Sequence, residues 1–479
     1  MASRTPGGIR PASRLFNRLL RHTLGRWLVI RYRVRFEASV LRTLTPPFLL
    51  VGNHTCNWDP FILSVPVRVP VHFVASDEYF RTPLLRFAFS LVGGIPKTKN
   101  VRDTQAVRTM LGLKRAGAVL GLYPEGNRSW DGVTGPIYGA TAKLVRKLGI
   151  PVVAVETTGG SLTQPRWARH ARHGPMRLAY RLLFTPEDCR SLPETVITER
   201  LVDALAHDDA GAADADARAG RPARYTGRRL AERLERFLFL CPACGRQDTL
   251  ASRGSRLSCA ACGRTVSFGT DGRFHPLPGT PGEAQVPSAF DTPRDWNRWQ
   301  CDLLAETIRS GMAASSAPAV LMQNLGARHQ TGGRTGRLAE AGTGTLTLLA
   351  DRLVFRHDGS ELHGWKRTRP DPPPLEIPLA GASGLNIQYN DRFELYAGDT
   401  LHRFSFPNTG ISVWKWHQAL LYAGVPGPDE TGRAESGPAE TGPAETGRTE
   451  AGAAQAEPAG LETRATNVQA IEQAGGSRR

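Results

Sequence analysis

A histidine and an aspartate five positions apart, His54 and Asp59 in "VGNHTCNWDP", have the side chains of a general base and its orienting carboxylate. An imidazole titrates near ~6.5, so it can take a proton from a hydroxyl at neutral pH. A carboxylate on its other nitrogen fixes the tautomer and stabilises the imidazolium. Spacing alone carries little information. With 12 His and 21 Asp in 479 residues, about half an H-x4-D match is expected by chance. The chain holds a second match, His72 with Asp77 in "VHFVASD".

Local pattern separates the two. Alternation in "VPVHFVAS" predicts a strand, on which residues five apart face opposite ways and lie roughly 16–17 Å apart. His72 therefore reads as structural. His54 follows the apolar run "FLLVG", and its small polar neighbours Asn53, Thr55 and Asn57 suit a turn. Pro60 suits the first turn of a following helix. The end of a buried strand is where open α/β sheets bind ligands. Five residues of regular helix amount to about 500°, so the pair works only if the turn bends Asp59 back.

Two further clusters have chemical character. "YPEGNRSWDG" (123–132) follows the apolar "AVLGLY", which should open it on the same sheet edge. There Gly126 allows close backbone approach, Arg128 offers a planar fork for phosphate, and Glu125 could orient that arginine or an acceptor hydroxyl. The plainer alternative is a polar turn with a surface ion pair. Cys241, Cys244, Cys259 and Cys262 form two CxxC pairs separated by fourteen residues, each pair followed by glycine. Four thiolates at such knuckles complete a tetrahedral zinc site with no open position, so the zinc is expected to be structural. Two paired motifs without a thioredoxin-like βαβ pattern disfavour a redox dithiol.

The elements that must position these groups follow from periodicity. From 47 to 206 strands such as "FLLVG", "VHFVAS", "AVLGLY" and "IPVVAVE" alternate with helical stretches, predicting an α/β domain with a largely parallel sheet. Residues 207–224 lose apolar periodicity and read as a linker. "RRLAERLERFLFL" (228–240) predicts a helix leading into a zinc ribbon, the two together spanning 225–270. From 294 to 425 a helical lead-in precedes short strands and the helical "ISVWKWHQALLYA"; this β-rich part resembles a PH/GRAM-type module by pattern alone. The Gly/Pro/Ala/Glu/Thr repeats of 426–479 predict a disordered tail.

With the motifs in place, "NHTCNWD" and "YPEGNRS", 71 residues apart from His54 to Glu125, resemble the first and third motifs of the glycerolipid acyltransferase family, which includes the 1-acylglycerol-3-phosphate acyltransferases. "VASDEYF" (74–80) is similar to a segment often found between the first two motifs, and Ile150-Pro151-Val152-Val153 resembles the fourth. The likeness covers roughly 47–206. It departs from the family pattern at Asn127, usually Thr, and at Tyr123, often Phe. "GGIPKTKN" offers only Lys97 and Lys99 where the second motif normally has an aromatic and an arginine. The resemblance implies transfer of a fatty acyl group from acyl-CoA or acyl carrier protein to a lysophospholipid hydroxyl. It implies His54 as base, Asp59 as its partner, and Lys97, Glu125, Gly126, Asn127, Arg128 and Ser129 around the acceptor. Backbone N–H groups near the first or third motif are the expected oxyanion donors. Cys56 is expected to be a small buried side chain rather than a nucleophile.

Charge bounds the partners. The formal net charge is +17, carried by 54 Arg against 7 Lys, and residues 1–48 hold ten Arg and one acidic residue. The segment 1–46, which contains "RLFNRLLRHTLGRWLVIRY", suits an anionic membrane surface, or equally an amphipathic helix packed on its own domain. Without a signal-peptide pattern or an apolar run of ~18–20 residues, a peripheral position on the cytoplasmic face of the membrane is expected. Seven cysteines, four of them in CxxC pairs, agree with a reducing compartment. Two rival readings are a catalytically silent lipid-binding scaffold and a basic zinc-ribbon protein that binds nucleic acid. The ribbon loop has no aromatic for base stacking, so nucleic acid is not the expected partner.

Overall fold

The computed structural model describes residues 12–80, 82–97, 103–277, 290–313, 319–333, 337–358, 373–407 and 410–427. Lys99 and, from residue 428 on, the expected tail lie outside these residues. Among the described residues the strands form three sheets. The first contains β1 (Val34–Glu37), β2 (Leu49–Gly52), β3 (Val71–Ser76), β4 (Ile95–Lys97), β5 (Val119–Leu122), β6 (Val152–Thr158) and β7 (Met176–Phe184), in the order β1-β7-β6-β2-β5-β3-β4. All its neighbours pair parallel except β6 with β7.

A parallel sheet is covered on both faces, which explains why β2 is an unbroken apolar run. Side chains alternate between faces with period two. Leu49 and Val51 of β2 join helices Thr104–Arg115, Ala140–Leu148 and Glu194–Leu205 on one side. Leu50 joins Leu28, Tyr32, Ile62 and Leu63 on the other. Leu28 and Tyr32 belong to the N-terminal helical stretch, Arg14–Leu20 and Arg26–Arg31 joined by a π-helical turn at Arg21–Gly25. That stretch therefore packs one face on the domain while Leu15, Leu19, Trp27 and Ile30 stay exposed.

The ribbon is a four-stranded antiparallel sheet of β8 (Leu250–Arg253), β9 (Arg256–Cys259), β10 (Thr265–Phe268) and β11 (Phe274–Pro276). Helix Pro293–Ala313 then leads to a seven-stranded antiparallel sheet: β12 (Val320–Gly332), β13 (Ala339–Leu349), β14 (Arg352–His357), β15 (Leu375–Pro378), β16 (Ala382–Gln388), β17 (Arg392–Ala397) and β18 (Thr400–Ser405). Helix Val413–Tyr422 closes it. The ribbon, this sheet and both helices share one apolar core, in which Phe237, Phe268, Phe393 and Trp416 are buried together.

Two local expectations need correction. Residues 228–240 do not form a helix: Arg229 and Arg233 adopt left-handed φ of 52° and 74°, and only Leu234–Arg236 makes a short 3-10 turn. "FLFL" is instead buried residue after residue. The 207–224 stretch is not an open linker either. It contains helix Asp209–Arg218, whose N-cap Asp208 accepts from the N–H of Ala210 and Gly211. Asp209 is buried and accepts from Gly159 N (2.5 Å), Ser161 N (2.9 Å), Ser161 Oγ (2.6 Å) and His207 Nε2 (2.8 Å).

His207 thus lies between Asp209 and Glu156. Burial pulls its pKa down, but the hydrogen bonds and charges of the two carboxylates prevail and lift it to about 9. A folded-state pKa above the unfolded value gives stability that is complete below ~6.5 and lost as pH rises through about 9. The loss should be on the order of 2–3 kcal/mol. Denaturant midpoints at both ends of this window should fall in wild type and stay level in His207→Gln. Equal slopes in the two proteins would remove His207 from the account.

Candidate active site

β2 ends at Gly52, and the next residue anchors the turn. Asn53 donates to Thr157 O (3.0 Å) and accepts from Thr157 N (2.7 Å), tying the turn to the end of β6. Residues 54–58 then wrap around the carboxylate of Asp59, which opens helix Asp59–Ser64 with Pro60 in its first turn. Asp59 accepts from Thr55 N (2.6 Å), Cys56 N (2.9 Å), Thr55 Oγ1 (3.2 Å) and Cys56 Sγ (2.9 Å). Its Oδ2 also lies 2.8 Å from His54 Nδ1. The bend that the sequence required is present, and it is built by the carboxylate itself.

The imidazole is held on a second side by stacking. Tyr123, at the end of β5, lies parallel to the His54 ring with centroids 4.2 Å apart, and Phe73 of β3 stacks behind Tyr123 at 5.6 Å. Gly121 makes room for this column, since a Cβ there would come within 2.4 Å of the Phe73 ring. Burial raises the pKa of Tyr123 well above the usual range, with Asp59 adding to the effect, so the phenol stays neutral. Sequence reading noted Tyr123 only as a departure from a family pattern and missed its stacking on His54.

Glu125 has different partners from those expected. Among the described residues it does not pair with Arg128: it is buried and accepts from His54 N (2.6 Å) and Gly135 N (2.7 Å). Burial pushes its pKa up to about 8 despite these two donors. Glu125 therefore joins the His54 turn to the loop before helix Ala140–Leu148. Above that pKa, Glu125→Gln turns one carboxylate oxygen into an NH2 facing a backbone N–H. A loss of ~1–3 kcal/mol of stability is expected. Thermal melts of this variant beside wild type check it; an unchanged midpoint would remove Glu125 from the account.

The other expected residues divide. Gly126, Asn127, Arg128 and Lys97 line one cavity with His54. Gly126 has φ of +65°, and a Cβ there would meet the Tyr138 ring at 2.6 Å. Arg128 is enclosed, and burial lowers its pKa. Burial lowers that of Lys97 as well, opposed by Asp103 and Asp77. Ser129 lies apart from the cavity lining: its Oγ donates to Asp131 (3.2 Å) and accepts from Gly132 N (2.8 Å), while its N–H holds His54 O at 2.9 Å. Cys56 is enclosed, and burial followed by the Asp59 charge drives its thiol well above the usual range, which disarms it as a nucleophile. His72 is fixed as a core residue, accepting from Ala12 N (3.2 Å) and donating to Val119 O (3.2 Å).

The cavity is large, about 1890 Å³, against ~300–1,000 Å³ for a drug-sized pocket. It runs from the N-terminal helix past His54 to Arg166 and residues 387–389 of the C-terminal sheet. Neither Arg166 nor that segment carried a local sequence signal for this position.

Far from this chemistry, the four thiols of Cys241, Cys244, Cys259 and Cys262 lie within 4.8 Å of one another. Cys241 to Cys262 and Cys244 to Cys259 are each 3.8 Å between sulfurs. A tetrahedron with Zn–S of ~2.3 Å has edges of about 3.8 Å, so the cluster fits a four-thiolate metal. Gly245 and Gly263 turn the two knuckles at φ of 66° and 75°.

Residues 33–157 match the family model Acyltransferase. A chloroplastic 1-acyl-sn-glycerol-3-phosphate acyltransferase of Brassica napus is 27% identical over 135 residues, covering 28% of this chain and 39% of that protein. A chloroplastic one of Arabidopsis thaliana is 24% identical over 151 residues, covering 31% and 42%. The 1-acyl-sn-glycerol-3-phosphate acyltransferase of Borreliella burgdorferi is 25% identical over 109 residues, covering 22% and 44%. Among solved structures, the 1-acyl-sn-glycerophosphate (LPA) acyltransferase PlsC from Thermotoga maritima aligns with a TM-score of 0.35 at 18% identity, over 42% of this chain and 81% of that one. The chain spans less than half the length of these curated relatives.

Proposed function

From a stretch at residues 33–157 that matches the acyltransferase family model, we propose that the protein moves a fatty acyl group from a thioester, acyl-CoA or acyl carrier protein, to the free hydroxyl of a lysophospholipid such as 1-acylglycerol-3-phosphate. This would be a step of phospholipid biosynthesis. The observation that carries the reading is the His54–Asp59 pair, 2.8 Å apart, opening on a cavity that also holds Arg128. His54 Nε2 takes the hydroxyl proton as the oxygen attacks the thioester carbonyl. The tetrahedral oxyanion collapses, the C–S bond breaks, and the imidazolium returns its proton to the departing thiolate. Arg128, with Lys97 and Asn127, holds the acceptor phosphate. Transfer of labelled acyl groups from either thioester to lysophosphatidate by the wild-type chain tests the assignment. An inert protein across a panel of lysolipids and thioesters would overturn it in favour of a lipid-binding scaffold.

The same reading places the protein on the cytoplasmic face of a membrane. No helix among the described residues is long and apolar enough to cross one. Two neighbouring helices expose apolar side chains: Leu15 (80% exposed), Leu19, Trp27 and Ile30 from the N-terminal stretch, and Leu84 (77% exposed), Leu85 and Phe87 from Pro83–Val92. Asn17 Nδ2 donates to Leu91 O at 3.2 Å and links the two. The arginines of the N-terminal stretch suit anionic headgroups around such a surface. Flotation with phosphatidylglycerol vesicles should recover the protein, and failure to bind at low salt counts against the surface. Zinc is the metal proposed for the four cysteines, in a structural role.

A further inference from the structure

The end of the cavity beyond His54 is not made by the acyltransferase domain alone. Arg128 and Arg166 both line it. Neither guanidinium forms an ion pair with a carboxylate among the described residues. Two enclosed cations at one end of a cavity call for an anion, since a buried charge is costly without a partner.

Arg166 spends its own donors on backbone. Nη1 reaches Arg128 O (2.7 Å), Nη2 reaches Ile387 O (2.9 Å) and Nε reaches Tyr389 O (3.2 Å), while the guanidinium covers the Trp130 ring at 4.7 Å. It therefore bolts the turn that carries Arg128 to the end of β16. The attachment is reciprocal: Asn390 Nδ2 donates to Arg166 O (3.3 Å) and Trp167 O (3.4 Å). A separate polar chain crosses the same seam. Arg403 of β18 reaches Glu78 at 3.2 Å and Glu394 of β17 at 2.6 Å, and Glu394 accepts from Gln388 Nε2 at 3.1 Å. Tyr79, next to Glu78, lines the same end of the cavity.

Tyr389 is at the centre of this seam in a left-handed conformation, φ 54°. For a bulky aromatic that region is strained, and such strain persists only where surroundings impose it. A glycine would hold the turn at no cost. Here the turn carries a tyrosine, and that residue lines the cavity, its ring beneath the Arg392 guanidinium at 5.3 Å.

We propose that Ile387–Tyr389 of the C-terminal sheet is a wall of the acyl-transfer site. Tyr389, whose carbonyl Arg166 holds, narrows the Arg128–Arg166 end and favours an acceptor with an unsubstituted phosphate monoester over one with a phosphodiester headgroup. The inference rests on the acyl-transfer reading above and gives the C-terminal sheet a place in it.

The test compares the full-length wild type with Tyr389→Ala and Tyr389→Phe on lysophosphatidate and lysophosphatidylglycerol. Tyr389→Ala should raise kcat/KM for the diester relative to the monoester about tenfold, the scale of one steric contact in a pocket. The phenylalanine variant keeps the ring and should keep the selectivity. An unchanged ratio in Tyr389→Ala overturns the wall. If wild type transfers acyl groups to neither lipid, the acyl-transfer reading falls, and calorimetric binding of the same two lysolipids decides the wall by itself. A changed affinity ratio in Tyr389→Ala then upholds it. An unchanged ratio, or no binding of either lipid by wild type, overturns it.

Discussion

His54→Ala is expected to lower kcat for acyl transfer by ~10²–10⁴-fold, the usual worth of a positioned general base, with kcat/KM falling in step. The substitution is a clean one. Two bonds that place residue 54 in the turn, from its N–H to Glu125 and to its carbonyl from Ser129 N, use its own backbone, and alanine keeps them. What disappears is the ring between Asp59 and Tyr123. Asp59→Asn is less clean, because an amide NH2 would face the N–H groups of Thr55 and Cys56 that now donate to the carboxylate. The matched control is His72→Ala. It removes the partners of Ala12 N and Val119 O from the core and should cost roughly 2–4 kcal/mol of stability. Rates for its folded fraction should match wild type. Thiol release and circular dichroism on both variants separate chemistry from folding. An inactive but well-folded His72→Ala beside an active His54→Ala would reverse the assignment.

Why the bend that brings Asp59 back to His54 could be read from the sequence and much else could not comes down to range. The β2 run, the turn residues after it and Pro60 are all within a dozen positions, and local sterics decide them. The largely parallel sheet was readable for the same reason, since each strand is a short apolar run followed by a helical period. The purpose of Glu125 was not readable. Its partners are two backbone N–H groups, one of them 71 residues away, and backbone donors leave no mark on a sequence. Asp209 is a similar case: an acidic, alanine-rich stretch looks like solvated linker, and only its four donors show why it is ordered. Residues 228–240 mislead in the opposite direction. Their helical pattern is overridden by two left-handed arginines and by a core that takes "FLFL" from every side. Arg166 and Tyr389 are 223 positions apart, and neither has a neighbour that hints at the other.

Stripping the metal from Cys241, Cys244, Cys259 and Cys262 should lower the thermal midpoint by on the order of 10 °C or more, because binding to such a site supplies ~10–16 kcal/mol in isolated zinc-finger peptides. The effect should not stay in the ribbon. Cys241 and Cys259 are buried in the same core as Phe393 and Trp416. Lys415 of the closing helix is paired with Asp248 of the ribbon. Arg172 is buried with its guanidinium against the rings of both Trp167 and Phe268 of β10, which joins the ribbon to the segment between β6 and β7. Arg236, just before the first knuckle, donates to Asn390 Oδ1 at 2.9 Å and so supports the turn that carries Tyr389. Loosening the ribbon therefore loosens that turn. At temperatures where the metal-free chain is still folded, the KM for the acceptor should rise before kcat falls, since His54, Asp59 and Tyr123 are held by β2, β5 and the Asp59 helix. Chelation followed by zinc titration, read by melting and by acceptor KM together, makes the comparison. Cys244→Ser should reproduce the metal-free state. A chain that purifies without metal and melts unchanged with chelator would show that the four thiols carry no structural ion. A lowered midpoint with acceptor KM unmoved would separate the ribbon from the acceptor end of the cavity.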